Sequence, residues 1–97
     1  MIWRGYIKAD YSEPYTFRVN VDDEVWIYID GQEVLHKDCC AGATSAPFSM
    51  QAGVWKPIEV RYRNKWWKHD WLDIWWSSSS QAEQYLAAPH LRYCTPP

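Results

Sequence analysis

The sequence of 97 residues lacks the features that mark several large classes of protein. Its formal net charge is −2 with acids and bases well mixed, so no surplus of one sign recruits a nucleic acid or a membrane surface. No uncharged apolar run is long enough to cross a bilayer. The first residues, MIWRGYIKADY, show neither the basic start and apolar block of a signal peptide nor a cleavage pattern. We therefore expect no nucleic-acid partner and no membrane insertion.

Cysteine is scarce and its count is odd, with Cys39, Cys40 and Cys94 as the three thiols. A disulfide from Cys39 or Cys40 to Cys94 would tie a long loop to the C-terminal tail and contribute about 3–4 kcal/mol. One thiol would then stay free or pair with a partner chain. The spacing fits no zinc site. We favour the disulfide, and three reduced cysteines in an intracellular protein remain the alternative.

Helical periodicity is also missing, and alternation with a period of two replaces it. Alternating stretches cover residues 15–21, 25–29, 58–63 and 71–76, and a first strand is expected at about Ile2 to Lys8. Because side chains alternate along a strand, one face of each is predicted to point inward: Tyr15, Phe17, Val19, Val21, Val25, Ile27, Ile29, Ile58, Val60, Tyr62, Leu72, Ile74 and Trp76. Aromatic residues are abundant at 18%, with eight tryptophans.

Turn signals separate these strands at close intervals. Asp30-Gly31 predicts a β-hairpin, and the serine run 77–80 predicts a loop inside the domain. The segment 80–88, SQAEQYLAA, is the only candidate for a short turn of helix. The chain is therefore predicted to be one all-β domain, an antiparallel β-sandwich of jelly-roll type with little or no helix.

Residue patterns for catalysis are weak. Asp22 and Asp23 are neighbours, which suits one metal ion better than the two sides of a scissile glycosidic bond. The serines lie together in a loop, no nucleophile elbow is present, and nothing supports Cys39-Cys40 as a nucleophile. We expect the protein not to be an enzyme.

Three acids stand side by side just before the apolar run 25–29: Asp22, Asp23 and Glu24. Adjacent acids repel one another and do not favour a strand. A polar turn, in which one aspartate caps backbone amides, explains them from the residues alone. A shared Ca²⁺ ion is the alternative, since it takes about 6–8 oxygen ligands and cancels the repulsion.

Four motifs occur in order along the chain: W-x-G-x-I-x-A-x-Y-S-x-x-Y-x-F-x-V, D-D-x-V-x-I-x-I-D-G-x-x-V, A-G-x-W-x-P-I-x-V-x-Y and L-x-I-x-W. From Trp3 to about Leu91 the sequence resembles the PA-fourteen domain, a family found in adhesins and beside glycosidases. The family usually has further strands before W-x-G, so we expect residues 1–97 to be a truncated or minimal domain. It commonly has a small residue after the aspartate pair, where this chain has Glu24.

The resemblance implies a calcium site. In adhesin members the two aspartates bind Ca²⁺, and the ion chelates sugar hydroxyls, which assigns Asp22 and Asp23 as ligands here. A later loop completes the site in the family and corresponds to residues 63–71, where Asn64 is the best match and Asp70 a further carboxylate. With this resemblance, metal binding is favoured over the polar turn.

The same loop carries the expected ligand contacts. Trp66 or Trp67 offers an indole on which a sugar ring stacks, with Lys65 and Glu24 as polar neighbours. Packing of the two indoles against another loop or a further segment is an equally open reading. His36, His69 and His90 are expected to be ordinary solvated histidines, because none has metal-ligand spacing.

The function expected from these residues is Ca²⁺-dependent carbohydrate binding by a module of a larger extracellular or cell-surface protein. The alternative is a structural or assembly module. The strand alternation leaves Trp26, Tyr28, Trp71 and Trp75 pointing outward, and exposed aromatic clusters of that size mark an interface for self-association or domain docking.

Overall fold

The computed structural model describes residues 2–22, 24–38, 41–63, 71–87 and 89–93. Within these ranges the chain is all-β, as predicted, and the first strand has the predicted bounds. No helix in the described ranges has the length and apolar character to span a membrane. The strands are β1 (Ile2–Lys8), β2 (Pro14–Asp22), β3 (Glu24–Ile29), β4 (Gln32–Asp38), β5 (Ala41–Thr44), β6 (Phe48–Ser49), β7 (Trp55–Arg63), β8 (Trp71–Ser78), β9 (Gln81–Tyr85) and β10 (Leu91–Tyr93).

The strands form two antiparallel sheets, which confirms the predicted sandwich. The first sheet has the order β10-β1-β7-β3-β4. The second has the order β5-β2-β8-β9, and β6 also pairs with β2. Most neighbours within a sheet are far apart in sequence, so the sheet order is decided by long-range pairing.

The core lies between the sheets and is built from the alternating residues of both. Val25, Ile27 and Ile29 of the first sheet are fully buried, as are Tyr15 and Phe17 of the second. The predicted inward parity is therefore confirmed for these strands. Ile74 is half-buried and packs against the core. The other described members of the core are Ile7, Ala9, Val19, Leu35, Met50, Ile58, Val60, Tyr62 and Trp76.

The β3–β4 hairpin is confirmed at its predicted turn. Asp30 and Gly31 both have positive φ, 56° and 76°, and Ile29 pairs directly with Gln32. A two-residue loop with both φ values positive is the type I′ turn, whose twist matches that of the flanking strands. Asparagine, aspartate and glycine tolerate this backbone best, which explains the Asp-Gly pair.

The prediction of a helical turn at 80–88 is wrong. Residues 81–85 form β9, where Tyr85 lies opposite Trp75 and Gln84 opposite Trp76. β8 is a long strand, and β9 covers its open edge, a tertiary gain that outweighs local helix propensity. The serine run is also only partly a loop, since β8 extends to Ser78.

A glycine explains how β10 reaches β1. A Cβ atom on Gly5 would lie 2.3 Å from the carbonyl oxygen of Arg92 and 2.7 Å from the indole of Trp3. Both distances are too short for any side chain, so this position requires glycine. The W-x-G motif therefore reflects packing, with the indole lying across the bare backbone two residues later.

Candidate ligand-binding site

Three pairs of strand ends lie at one end of the sandwich, called the crossover end here. They are the residues on either side of residue 23, of residues 39–40 and of residues 64–70. Asp22 lies opposite Trp71 in the second sheet, and Glu24 lies opposite Arg63 in the first. Directly opposed residues of antiparallel strands have Cα atoms about 4.5–5.5 Å apart. Both ends of the 64–70 connection therefore lie one strand away from the residues that flank Asp23.

The connection between β4 and β5 reaches the same end. Asp38 lies opposite Glu24, and Ala41 lies opposite Val21. β10, which leads to Cys94, is at the other edge of the first sheet from β4. Four strand spacings of about 4.8 Å separate those edges, roughly 19 Å.

Most of the predicted site falls outside the described residues. This holds for the ligands Asp23, Asn64 and Asp70 and for the contact residues Lys65, Trp66 and Trp67. It also holds for Cys39, Cys40, Cys94 and His69, and for the side chains of Asp22 and Trp71. Among described residues, no group of three or more His, Cys, Asp or Glu side chains is placed to hold a metal ion. The calcium ligands, the recognition loop and the disulfide stay predictions.

Among the residues predicted to bind the ion or the sugar, Glu24 is the one that the structure describes in full. It is buried, with 7% of its surface exposed. One carboxylate oxygen lies 2.7 Å from Nε2 of His36, and the other lies 3.8 Å from Nη1 of Arg63. Trp26 stacks on the His36 ring with centroids 4.9 Å apart and planes 7° from parallel. The carboxylate is thus held between His36 and Arg63 and does not extend into solvent.

The expectation of solvated histidines is confirmed for His36, whose side chain is 40% exposed, and is wrong for His90. His36 is held by Glu24 and Trp26. His90 places Nε2 2.7 Å from a carboxylate oxygen of Asp10, and its ring meets the edge of Trp76 at 5.3 Å. Only 16% of the His90 side chain is exposed. Sequence spacing gave no signal here because each partner comes from a distant strand or loop.

The outward aromatic residues lie on two different faces. Trp26 and Tyr28 are on the outer face of the first sheet, and Trp75 is on the outer face of the second. Arg61 lies over the Tyr28 ring at 5.1 Å, and Arg18 lies over the Trp75 ring at 4.1 Å. One flat partner can therefore touch only one of these groups.

The outer face of the first sheet also carries a cleft of about 460 Å³ that the sequence did not indicate. Arg4 and Glu59 meet across β1 and β7, and Tyr28 faces Glu59 from β3. None of these pairs is close in sequence, so only the sheet order brings them together. The cleft is lined by Arg4, Gly5, Tyr6, Tyr28, Gly31, Pro57, Ile58, Glu59 and Arg61.

A small antiparallel sandwich with connections gathered at one end is a scaffold on which loops carry binding residues. This chain belongs to the PA14 domain family, whose model matches residues 1–85. It is 27% identical over 93 residues to the protective antigen of Bacillus anthracis, covering 94% of this chain and 12% of that protein. It is 30% identical over 94 residues to the anti-sigma-I factor RsgI3 of Acetivibrio thermocellus, covering 92% of this chain and 14% of that protein.

Solved structures show the same fold. An anti-sigma factor domain-containing protein from Clostridium clariflavum matches with a TM-score of 0.88 and 26% identity, over 99% of this chain and 33% of that one. A PA14 sugar-binding domain from an RTX adhesin matches with a TM-score of 0.67 and 19% identity, over 87% of this chain and 48% of that one. The chain thus spans a small part of its longer relatives.

Proposed function

We propose that this chain is a non-catalytic, Ca²⁺-dependent carbohydrate-binding module of a larger extracellular or cell-surface protein. One observation carries the proposal: the strand register brings the flanks of Asp22-Asp23 and the flanks of residues 64–70 together at the crossover end. These are the two segments that the family resemblance assigns to the ion and the sugar.

The donor set fits calcium. Asp22, Asp23, Asn64 and Asp70 would supply carboxylate and amide oxygens, the hard ligands that Ca²⁺ prefers. When bound, the ion supplies a positive centre on which sugar hydroxyls complete the coordination shell. Without it, the two adjacent carboxylates repel each other across a single-residue connection.

The residues around the ion would position the sugar. An indole of Trp66 or Trp67 offers a flat apolar surface for the C–H face of a pyranose ring, and Lys65 offers hydrogen bonds to its hydroxyls. Glu24 is anchored to His36, so its part is to hold the start of β3 and to contribute negative charge beside the acid pair.

Family membership supports this proposal, since the family includes the sugar-binding domain of an RTX adhesin. That likeness, at 19% identity, supports the fold and leaves the choice of sugar open. The small share of its longer relatives that the chain covers supports its place as one module among others.

Calorimetric titration with Ca²⁺, with and without chelator, tests the proposal. We expect binding of one ion and a calcium-dependent rise in the unfolding midpoint, both lost in the double variant Asp22→Ala/Asp23→Ala. Asp30→Asn is the matched control, because Asp30 lies in the turn at the opposite end of β3. Equal unfolding midpoints in calcium and in chelator would contradict the proposal.

Glycan binding distinguishes the role of the calcium ion from the role of the loop tryptophans. Asn64→Ala should weaken both calcium and glycan binding, whereas Trp67→Ala should weaken only glycan binding, because an indole cannot ligate a hard cation. A glycan array read with and without chelator gives the result. If Trp66 and Trp67 can each be replaced by alanine without loss, the loop does not recognise the glycan.

Assembly through an outer face is the second candidate, and one observation favours it. Tyr85, on the edge strand β9, is 57% exposed, and its ring is tilted against that of Trp75 with centroids 5.0 Å apart, which leaves aromatic surface at a sheet edge. Sedimentation at several concentrations should then show oligomers that do not respond to chelator and weaken in Trp75→Ser.

A further inference from the structure

The outer face of the first sheet has a cleft with two aromatic walls. Tyr6 projects from β1 and Tyr28 from β3, on either side of the central strand β7. Pro57 lies directly opposite Tyr6, and Tyr28 stands diagonally across β7 from Tyr6, opposite Glu59. The proline ring is short, so the side chains on both sides rise above it and leave an open trough with a volume of about 460 Å³. This volume falls in the range of small-molecule sites, roughly 300–1,000 Å³.

Proline fits the centre of this sheet for a specific reason. The carbonyl of Pro57 accepts a hydrogen bond of 2.9 Å from the backbone N–H of Asp30, in the β3–β4 turn. The N–H and C=O of one strand residue point to the same side, so the N–H that proline lacks would face the turn, beyond the last β3 pair. Pro57 therefore gives the cleft a rigid floor, and the N–H that it lacks removes little from the hydrogen-bond ladder of the sheet.

Two arginines converge at one end of the trough. Nε of Arg4 donates to one oxygen of Glu59 at 2.8 Å, and Nε of Arg61 donates to the other at 2.6 Å. These hydrogen bonds from Arg4 and Arg61 hold the pKa of Glu59 below its usual value, so the carboxylate stays charged at neutral pH. The arginine side chains are 65% and 49% exposed, so both guanidinium groups stand at the surface in fixed positions.

Basic side chains outnumber acidic ones around the cleft, although the whole chain carries −2. The acids are Glu59, Glu33 opposite Tyr28, and Asp30, which lies 3.8 Å from Nζ of Lys56. Arg92 lies 5.6 Å from the Tyr6 ring and 4.4 Å from the Trp55 ring, and Lys8 lies 4.9 Å from the same indole. Arg4 and Arg61 together exceed the charge of Glu59 by one. An anionic ligand is favoured at this face by the local charge.

We propose that this cleft is a second, calcium-independent subsite that binds a uronic acid residue of an acidic glycan. The sugar ring lies over Pro57 beside Tyr6, with Tyr28 at the diagonal wall, and its carboxylate pairs with Arg4 and with Arg61, whose guanidinium lies over the Tyr28 ring. The planar guanidinium fork matches a carboxylate, and Glu59 orients the two forks before the ligand arrives. The assignment of a glycan rests on the proposed function, whereas the site is distinct from the crossover end.

Calorimetry in excess chelator at about 150 mM salt tests the inference. The probes are a trisaccharide of glucuronic acid, its methyl ester and the neutral glucose trisaccharide. We expect the acid to bind at least tenfold more tightly than either uncharged probe, because only the acid can engage the guanidinium pair. Equal affinity for the acid and its ester would overturn the inference.

Matched variants locate the binding. Arg4→Gln/Arg61→Gln should weaken binding of the acid at least tenfold, and Tyr28→Ser should weaken it several-fold. Arg18→Gln is the control, because Arg18 also pairs with a glutamate and lies over an aromatic ring, but on the other sheet. Tyr85→Ser is the control for the tyrosine. If the control variants lose as much affinity as the cleft variants, the inference is wrong.

Three further measurements complete the test. Ring signals of Tyr6 and Tyr28 in the unaltered protein should shift on addition of the acid trisaccharide, so the test survives if a variant fails to fold. A peptide of three glutamates should bind at least tenfold more weakly, and equal binding would mean attraction of charge alone and overturn the inference. Asp22→Ala/Asp23→Ala should keep this binding in chelator, whereas failure of the calcium proposal would appear only in the calcium titration.

Discussion

The two outer faces of the sandwich carry the same kinds of side chain in different arrangements. On the second sheet, Arg18, Trp75 and Tyr85 occupy one cross-strand row, with Arg18 opposite Trp75 and Trp75 opposite Tyr85. Arg18 covers the indole and pairs with Glu83 at 2.6 Å, so the row is filled by its own members. On the first sheet, Arg61 also lies over an aromatic ring, that of Tyr28, but the short ring of Pro57 opposite Tyr6 leaves a trough beside them.

This difference shows that position across a sheet, more than composition, decides whether aromatic and basic residues close on one another or leave room for a ligand. In the second sheet the long side chains are direct neighbours and fill the surface. In the first sheet, long side chains are also neighbours, but the short ring of Pro57 leaves space beside Tyr6, and Glu59 holds Arg4 and Arg61 next to that space. The first face therefore has the better geometry for a small ligand, and the second for a flat partner.

The largest effect should come from alanine substitution on the inner side of β8, compared with the same substitution on its outer side. Trp76 is fully buried and stacks on Tyr15 with centroids 4.8 Å apart, so Trp76→Ala should lower the free energy of unfolding by about 3–5 kcal/mol. Trp75→Ala, one residue earlier on the outer face, should cost only a small fraction of that. Urea unfolding of both variants gives the two values, and similar losses would mean that Trp75 belongs to the core.

A smaller effect on stability should distinguish a glycine of the first sheet from a glycine of the second. Gly5→Ala places a methyl group 2.3 Å from the Arg92 carbonyl oxygen, so β10 must shift, at a cost of about 1–3 kcal/mol. Gly42→Ala in β5 meets only the Val19 carbonyl at 3.4 Å and should leave stability nearly unchanged. Thermal unfolding monitors both, with about 4–8 °C expected per kcal/mol in a domain of this size. An unshifted midpoint for Gly5→Ala would show that β10 is not held against β1.

The smallest effect concerns the carboxylates of the two faces. Hydrogen bonds from Arg4 and Arg61 lower the pKa of Glu59, and a hydrogen bond from Arg18 lowers the pKa of Glu83. A depressed folded-state pKa gives stability that is present above the unfolded pKa, near 4.3, and is lost as pH falls through the folded value. Both pairs are solvent-exposed, so the loss on acidification should be slight.

Carboxyl NMR titration of the two glutamates measures these values directly. Arg4→Gln/Arg61→Gln should raise the pKa of Glu59 and leave that of Glu83 in place, and Arg18→Gln should do the reverse. A shift of both by one variant would mean that the two faces are not electrically independent.

Local pattern predicted much of the fold. The inward residues of β2, β3 and β7 were predicted from alternation alone, because side chains of a strand point to opposite faces with a period of two. The Asp30-Gly31 turn was predicted because few residues accept positive φ at two successive positions. The helical turn at 80–88 was predicted wrongly, since pairing of residues 81–85 with β8 is not visible in the local sequence.

The binding residues divide in the same way. Asp22 and Asp23 are neighbours in the chain, so the acid pair was evident from the sequence. The contact between Glu24 and His36 depends on the β3–β4 register and was not. The cleft was missed altogether. Arg4 and Glu59 are 55 residues apart, and no local signal links them.

The sequence by itself determined which side of each strand is apolar, where the sharpest turn lies and which family the chain resembles, because these depend on neighbours a few residues apart. Only the tertiary structure decided that β1, β7 and β3 stand side by side, and hence that two tyrosines, two arginines and one glutamate surround a proline floor. Cross-strand neighbours follow from the order and register of the sheet, and these are set by the burial of the whole core.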